Sequence, residues 1–186
     1  MKNAKVIKPV KPVMLPSDGF AEYTIKLNKN QVDYGDLKSR KELKGFREQT
    51  KRHITVVGDK ASLKIEKALN KFSVPERKKK ITQIESILKK LEWQYFPGDI
   101  YLIEKKKHFR NPKVLEHRKS YVRLVKMPDM DVFYRKLNTL LKTRIPTQIP
   151  HITLFTKGEY LPERKYFGIS IPSKAAFKKL NPKKIN

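Results

Sequence analysis

Two short runs, His53-Ile54-Thr55-Val56 and His151-Ile152-Thr153-Leu154, constrain the fold of this chain more than any other feature. Both alternate polar and apolar residues with a period of two, the period of a β-strand rather than of a helix. In a strand, His and Thr project from one face while Ile and Val or Leu project from the other. A register slip of one residue would bury the imidazole and the hydroxyl, so the alternation fixes which face is open. One such strand lies in each half of the chain, which points to a duplicated arrangement presenting both polar pairs.

The surrounding pattern supplies further strands and several helices. Phe20 to Leu27 and Arg52 to Val57 read as strands, and the highly charged stretch between them, Tyr34 to Gln49, as loop with some helix. Asp59 is placed to cap a helix carrying Leu63, Ile65, Ala68, Leu69 and Phe72 on one face. Ser73-Val74-Pro75-Glu76 reads as a capping box with proline in the first turn, where its missing N–H is harmless. The helix it opens carries Ile81, Ile84, Ile87, Leu88 and Leu91 and is expected to end near Trp93, before Pro97-Gly98. Ile100 to Glu104 and Tyr121 to Val125 read as strands joined by a very basic loop. Asp129 is placed to cap a third helix with Val132, Phe133, Leu137, Leu140 and Leu141 inward. Ile152 to Phe155 and Tyr166 to Ile171 read as strands, and Ser173 opens a short helix ending at Asn181-Pro182. Strands and helices mixed in this way predict an α+β fold. Residues 1–16, with Lys8-Pro9-Val10 followed by Lys11-Pro12-Val13, read as an extended basic arm, ordered or not, and residues 17–186 as one domain.

Charge narrows the partners. The chain holds 44 Lys and Arg against 18 Asp and Glu, a formal charge of +26. Such a field concentrates polyanions and points first to nucleic acid, the plainer alternative being a solvated, self-repelling surface. With no cysteine in the sequence, disulfides, thiolate metal sites and cysteine nucleophiles are excluded. No apolar run is long enough to span a membrane, so no membrane partner is expected. The stretch from Lys2 to Pro16 is broken by Pro9 and Pro12 and lacks the apolar centre of a secretory signal, so residence in the cytoplasm is expected.

What can two His–Thr pairs do? Displacement at a phosphodiester needs a nucleophile deprotonated, a leaving oxygen protonated and the non-bridging oxygens held. A neutral imidazole can be the base and an imidazolium the acid, because an ordinary histidine pKa of about 6.5 makes both forms accessible near neutral pH. Threonine hydroxyls can donate to the oxygens on which charge builds. No metal or other cofactor is required. A single histidine beside threonine in a strand is more often structural, satisfied by a neighbouring carbonyl. Two of only four histidines opening the same tetrad argue for a functional pair, and His-x-Thr lacks a carboxylate at metal-ligand spacing.

These paired tetrads resemble the signature of the two-histidine (2H) phosphoesterase superfamily, which includes RNA 2′,3′-cyclic phosphodiesterases and the bacterial proteins named 2′-5′ RNA ligases. Pro150 and the continuation Phe155-Thr156-Lys157-Gly158 add to the likeness. The resemblance implies two pseudo-symmetric lobes with antiparallel sheets around a central cleft and helices outside. It makes His53, Thr55, His151 and Thr153 catalytic. It also implies hydrolysis of 2′,3′-cyclic phosphates at RNA ends, reversible as 2′-5′ ligation, by a monomer without cofactor. Some members carry a basic residue two positions after the threonine. Those positions here hold Val57 and Phe155, so any further phosphate clamp must come from elsewhere. The alternatives are a phosphodiesterase for a small cyclic nucleotide or a 2′-5′ oligonucleotide, and a non-catalytic RNA-binding protein.

The basic loop predicted between the middle strands mixes cations with aromatics, a composition suited to tracking phosphates and stacking on bases. Lys105, Lys106, Lys107, Phe109, Arg110, Arg118 and Tyr121 are the candidate contacts for single-stranded RNA ends, a tRNA-like RNA or a nucleotide. His108 and His117 fall in the same region as surface or RNA-contacting residues. Arg77 to Lys80 sit early in a helix, where cations oppose the dipole, and read equally as an anion site or a solvated face.

Overall fold

The two tetrads form strands, and among the described residues five further strands join them in one antiparallel sheet. A computed structural model describes residues 22–109, 111–158 and 168–185, with every side chain in them except those of 107, 109 and 111–114. Its strands are β1 (Tyr23–Lys26), β2 (Arg47–Glu48), β3 (His53–Val57), β4 (Phe96–Phe109), β5 (Asn111–Lys126), β6 (His151–Gly158) and β7 (Lys183–Ile185). They run in the order β1-β3-β6-β5-β4-β7, with β2 pairing beside β3 on the same side of β6. The helices are α1 (Asp59–Leu69), α2 (Val74–Lys90), α3 (Pro128–Leu141) and the short α4 (Lys174–Lys178). An α+β architecture is thus shown, and the two motif strands are neighbours within it.

The sheet buries one face under helices. Ile54, Val56, Ile152 and Leu154 enter a core completed by Ile65 and Leu69 of α1, Ile84 and Leu88 of α2, and Phe133, Tyr134 and Leu137 of α3. A fully buried aliphatic side chain contributes about 1.5–3 kcal/mol. Exposing those four by a register slip would therefore forfeit about 6–12 kcal/mol, comparable to the whole net stability of a domain. The opposite face carries a smaller cluster of Ile103, Val122, Ile169 and Ile171, roofed by Phe177 of α4 and by Leu180. This leaves part of that second face open.

Several local expectations are met. Glu76 accepts hydrogen bonds from the Ser73 backbone N–H at 3.1 Å and from its hydroxyl at 2.7 Å, closing the N-terminus of α2 as predicted. The Ser73 pattern recurs in simpler form at α4, where the Ser173 hydroxyl accepts from the Ala176 N–H at 3.1 Å.

Other expectations are corrected. In its described residues, 105–109 and 111–120, the basic stretch is not a loop. It forms the paired halves of β4 and β5, in register from Leu102–Tyr121 to His108–Leu115. Its charges answer one another across the ladder, Glu104 meeting His117 at 3.1 Å and Lys119 at 3.4 Å. Pro97-Gly98 is a bulge inside β4, and a side chain at 98 would meet the Leu124 carbonyl oxygen at 2.8 Å. Asp59 and Asp129 lie inside the first turns of α1 and α3, whose caps are Gly58 and Met127. Asp129 instead accepts from the Trp93 N–H at 2.8 Å, tying α3 to the chain beyond α2. That helix stops at Lys90, short of Trp93, which takes a left-handed φ of 55°. Leu63 faces solvent, because Ala61 rather than Leu63 completes the buried stripe of α1. Residues 34–49 hold two 3₁₀ turns and β2, and 168–171 lie outside any strand. The N-terminal arm lies outside the described residues.

Candidate active site

The single registered pair between β3 and β6 is Ile54 with Ile152, antiparallel. One step either side, that register sets His53 across from Thr153 and Thr55 across from His151. Both isoleucines are fully buried, so all four polar residues stand on the opposite, open face. Like sequences on antiparallel neighbours are related by a local two-fold axis, and the four side chains form two His–Thr pairs about it.

The imidazoles are held in the same way. His53 Nδ1 lies 2.9 Å from the Lys51 carbonyl oxygen, and His151 Nδ1 lies 2.9 Å from the Ile149 carbonyl oxygen. A carbonyl only accepts, so each Nδ1 carries a proton and donates it. The opposite edge of each ring, Nε2, is then the nitrogen that gains or loses a proton. Both rings line one cavity of about 580 Å³ together with Thr55 and Thr153. Among the described residues neither threonine hydroxyl has a protein partner.

The two histidines differ in burial. His53 is exposed, whereas His151 is only 8% exposed. Burial pushes the His151 pKa below the ordinary value. Its bond to the Ile149 carbonyl opposes that shift, and the neighbouring His53 adds to it. His151 therefore favours the neutral form.

Packing around the pairs is close. The Gly58 N–H donates to the Gln148 side-chain oxygen at 3.1 Å, and the Gln148 amide donates to the Thr55 carbonyl at 3.3 Å. These bonds join the turn after β3 to the segment before β6. Gly168 abuts the other threonine, and a Cβ there would lie 3.3 Å from Thr153 Oγ1. Ahead of β3, Arg52 meets Glu48 at 2.6 Å and the Tyr34 hydroxyl at 2.7 Å. Burial alone would raise the Glu48 carboxyl. The bonds from Tyr34 and Arg52 and the charges of Lys38 and Arg52 outweigh it and pull the pKa down to about 2.

Of the basic candidates, Lys105 and Arg118 join the motif residues in the cavity, as does Lys51. Lys106 points to the other side of the ribbon, where it lines a separate cavity with His117 and Lys183. Tyr121 is not available for stacking. It is 4% exposed and packs against Phe46 with ring centres 4.9 Å apart. Lys107 and Phe109 lie on β4 with undescribed side chains, and Arg110 lies outside the described residues. In the helix cluster, Lys80 donates to the Leu140 carbonyl at 3.1 Å and so docks α2 on α3.

Gln148, Glu116 and Gly168 are among the residues of the site missed from sequence. Gln148, with Thr147 beside it, is polar within the otherwise apolar stretch Ile145 to Pro150, which is a usable signal. Glu116, an acid in a basic run and only 4% exposed, is another. Gly168 gave none. Among the described residues no group of three or more His, Asp or Glu side chains is arranged to hold a metal ion, and no helix is long and apolar enough to cross a membrane.

Set beside known proteins, the chain matches no family model, no curated protein and no solved structure.

Proposed function

We propose that this chain is a phosphodiesterase of the two-histidine kind that opens 2′,3′-cyclic phosphates at RNA ends. The observation that carries the proposal is the matched pair of imidazoles. Each donates Nδ1–H to the carbonyl two residues upstream at 2.9 Å, and both line one cavity with two threonines whose hydroxyls have no partner among the described residues. The net charge of +26 favours RNA, a polyanion, over a small cyclic nucleotide that carries a single phosphodiester charge. The lone β3–β6 pair, against extended pairing on the far side of β6, favours a division into two lobes with the cleft along that line.

In this reaction His151 Nε2 takes a proton from water, whose oxygen attacks phosphorus. The bond from phosphorus to one ribose oxygen breaks, and His53 Nε2–H protonates that leaving oxygen. Thr55 and Thr153 donate to the non-bridging oxygens as their charge grows. Burial suits His151 to the base, since a base must be neutral before it acts, and the exposed His53 beside it is assigned the acid. With a ribose 5′-hydroxyl replacing water as the nucleophile and the 3′-oxygen leaving, the same opening of the cyclic phosphate forms a 2′-5′ linkage.

A substrate panel in excess chelator tests the reading. RNA ending in a 2′,3′-cyclic phosphate should be opened, ahead of 3′,5′-cyclic mononucleotides and 2′-5′ oligonucleotides. Loss of turnover in chelator with rescue by zinc or manganese would defeat the two-histidine mechanism. Binding of RNA without turnover of any diester would leave a binding protein.

A further inference from the structure

Arg118 and Lys105 stand across from each other on β5 and β4, and both line the cavity that holds the two histidines. Arg118 is built into place rather than draped on the surface. Its Nε donates to Glu116 at 2.5 Å, and that carboxylate belongs to a residue only 4% exposed. Its Nη1 reaches the Gly168 carbonyl at 3.5 Å. A buried carboxylate gripping a guanidinium fixes the plane of the cation, which a solvated lysine run does not do.

The position matters as much as the charge. Arg118 is in register with Gly158, five residues beyond Thr153 on β6. At about 3.4 Å per residue its backbone is roughly 17 Å along the strand from the motif. The side chain reaches back to Gly168, and it is Gly168 that abuts Thr153. One glycine thus separates the guanidinium from the threonine that faces the reacting phosphate. Lys105 is one strand further out, about 4.8 Å away in the sheet. The cations lead away from the motif in sequence rather than crowding it.

We infer that Arg118, set by Glu116 and followed by Lys105, is a subsite for a second phosphate of the substrate, the one 5′ to the reacting end. The inference rests on the proposed phosphodiesterase reading and narrows its substrate class to chains carrying at least one phosphodiester besides the cyclic one. A 2′,3′-cyclic mononucleotide offers nothing for this subsite.

The test compares kcat/KM for cytidine 2′,3′-cyclic phosphate with that for a tetranucleotide ending in the same group. The variants are Arg118→Lys and the double variant Glu116→Gln with Arg118→Gln, which leaves no buried carboxylate uncompensated. Both should lower the ratio of tetranucleotide to mononucleotide efficiency, the double variant about tenfold or more, through KM. Arg118→Lys should fall between, because it keeps the charge and loses the fork. An equal loss on both substrates, or an unchanged ratio, overturns the subsite. Fluorescence anisotropy of the labelled tetranucleotide separates the two readings. If no diester is turned over but binding still weakens in the double variant, the phosphodiesterase reading fails and the subsite stands.

Discussion

The β3–β6 pair and the β4–β5 ribbon both carry polar residues at alternate positions, yet they use them in opposite ways. On β3 and β6 the polar face is sparse: two histidines and two threonines, backed by fully buried Ile54 and Ile152. Among the described residues their hydroxyls have no protein partner, and each ring engages the backbone through Nδ1 alone. On the ribbon charged and polar groups already hold one another, Glu104 with His117 and Lys119, and Glu116 with the Nε side of Arg118. Groups that already have partners can position a ligand but do little chemistry. Groups held at one end and open at the other can move protons.

That contrast can be broken first at the histidines. His53→Ala and His151→Ala should each lower the rate on a 2′,3′-cyclic phosphate by about 10²–10⁴-fold, the usual worth of a positioned acid or base. Lys106→Gln, on the far side of the ribbon, should leave that rate unchanged. Steady-state kinetics with circular dichroism as a folding control makes the comparison. Full activity in either histidine variant would remove that residue from the chemistry.

A smaller effect sharpens the role of the hydroxyls. Thr55→Val and Thr153→Val keep shape and delete the donor, so kcat should fall by about 10²-fold, as on losing one oxyanion donor. A change confined to KM would make the threonines ground-state binders.

The smallest effect concerns stability. His151 is held below its ordinary pKa, so the unfolded chain binds its proton more readily than the folded one. Its stabilising contribution is present above about pH 6.5, the unfolded value, and is lost as pH falls through the lower folded value. Urea melts should show stability dropping over that acid window in the wild type and dropping less in His151→Gln. Parallel curves for the two proteins would contradict the assigned burial effect.

How much of this was legible in the sequence follows the same contrast. The motif strands could be read because aliphatic residues fill their second face, and burial makes a period of two visible. The α2 capping box could be read because its geometry is local to Ser73 and Glu76. The ribbon could not. Both its faces are largely polar from Glu104 to Lys119, so alternation between them leaves no trace in hydropathy and the charge alone suggested a loop. Tyr121 was misread for the same reason, since nothing local shows that Phe46 covers it. Gln148 and Gly168 enter the site only through contacts made across the fold, with Gly58 and with Thr153.

The division of labour between the two imidazoles is tested most directly by changing the leaving group. A ribose oxygen must be protonated as it departs, whereas p-nitrophenolate leaves without help. On a p-nitrophenyl phosphodiester of a nucleotide, His53→Ala should recover most of the rate it loses on the cyclic phosphate, because the acid is no longer needed. His151→Ala should stay slow on both, because the base still is. Equal loss on both substrates in both variants would contradict an acid–base pair made from these two residues.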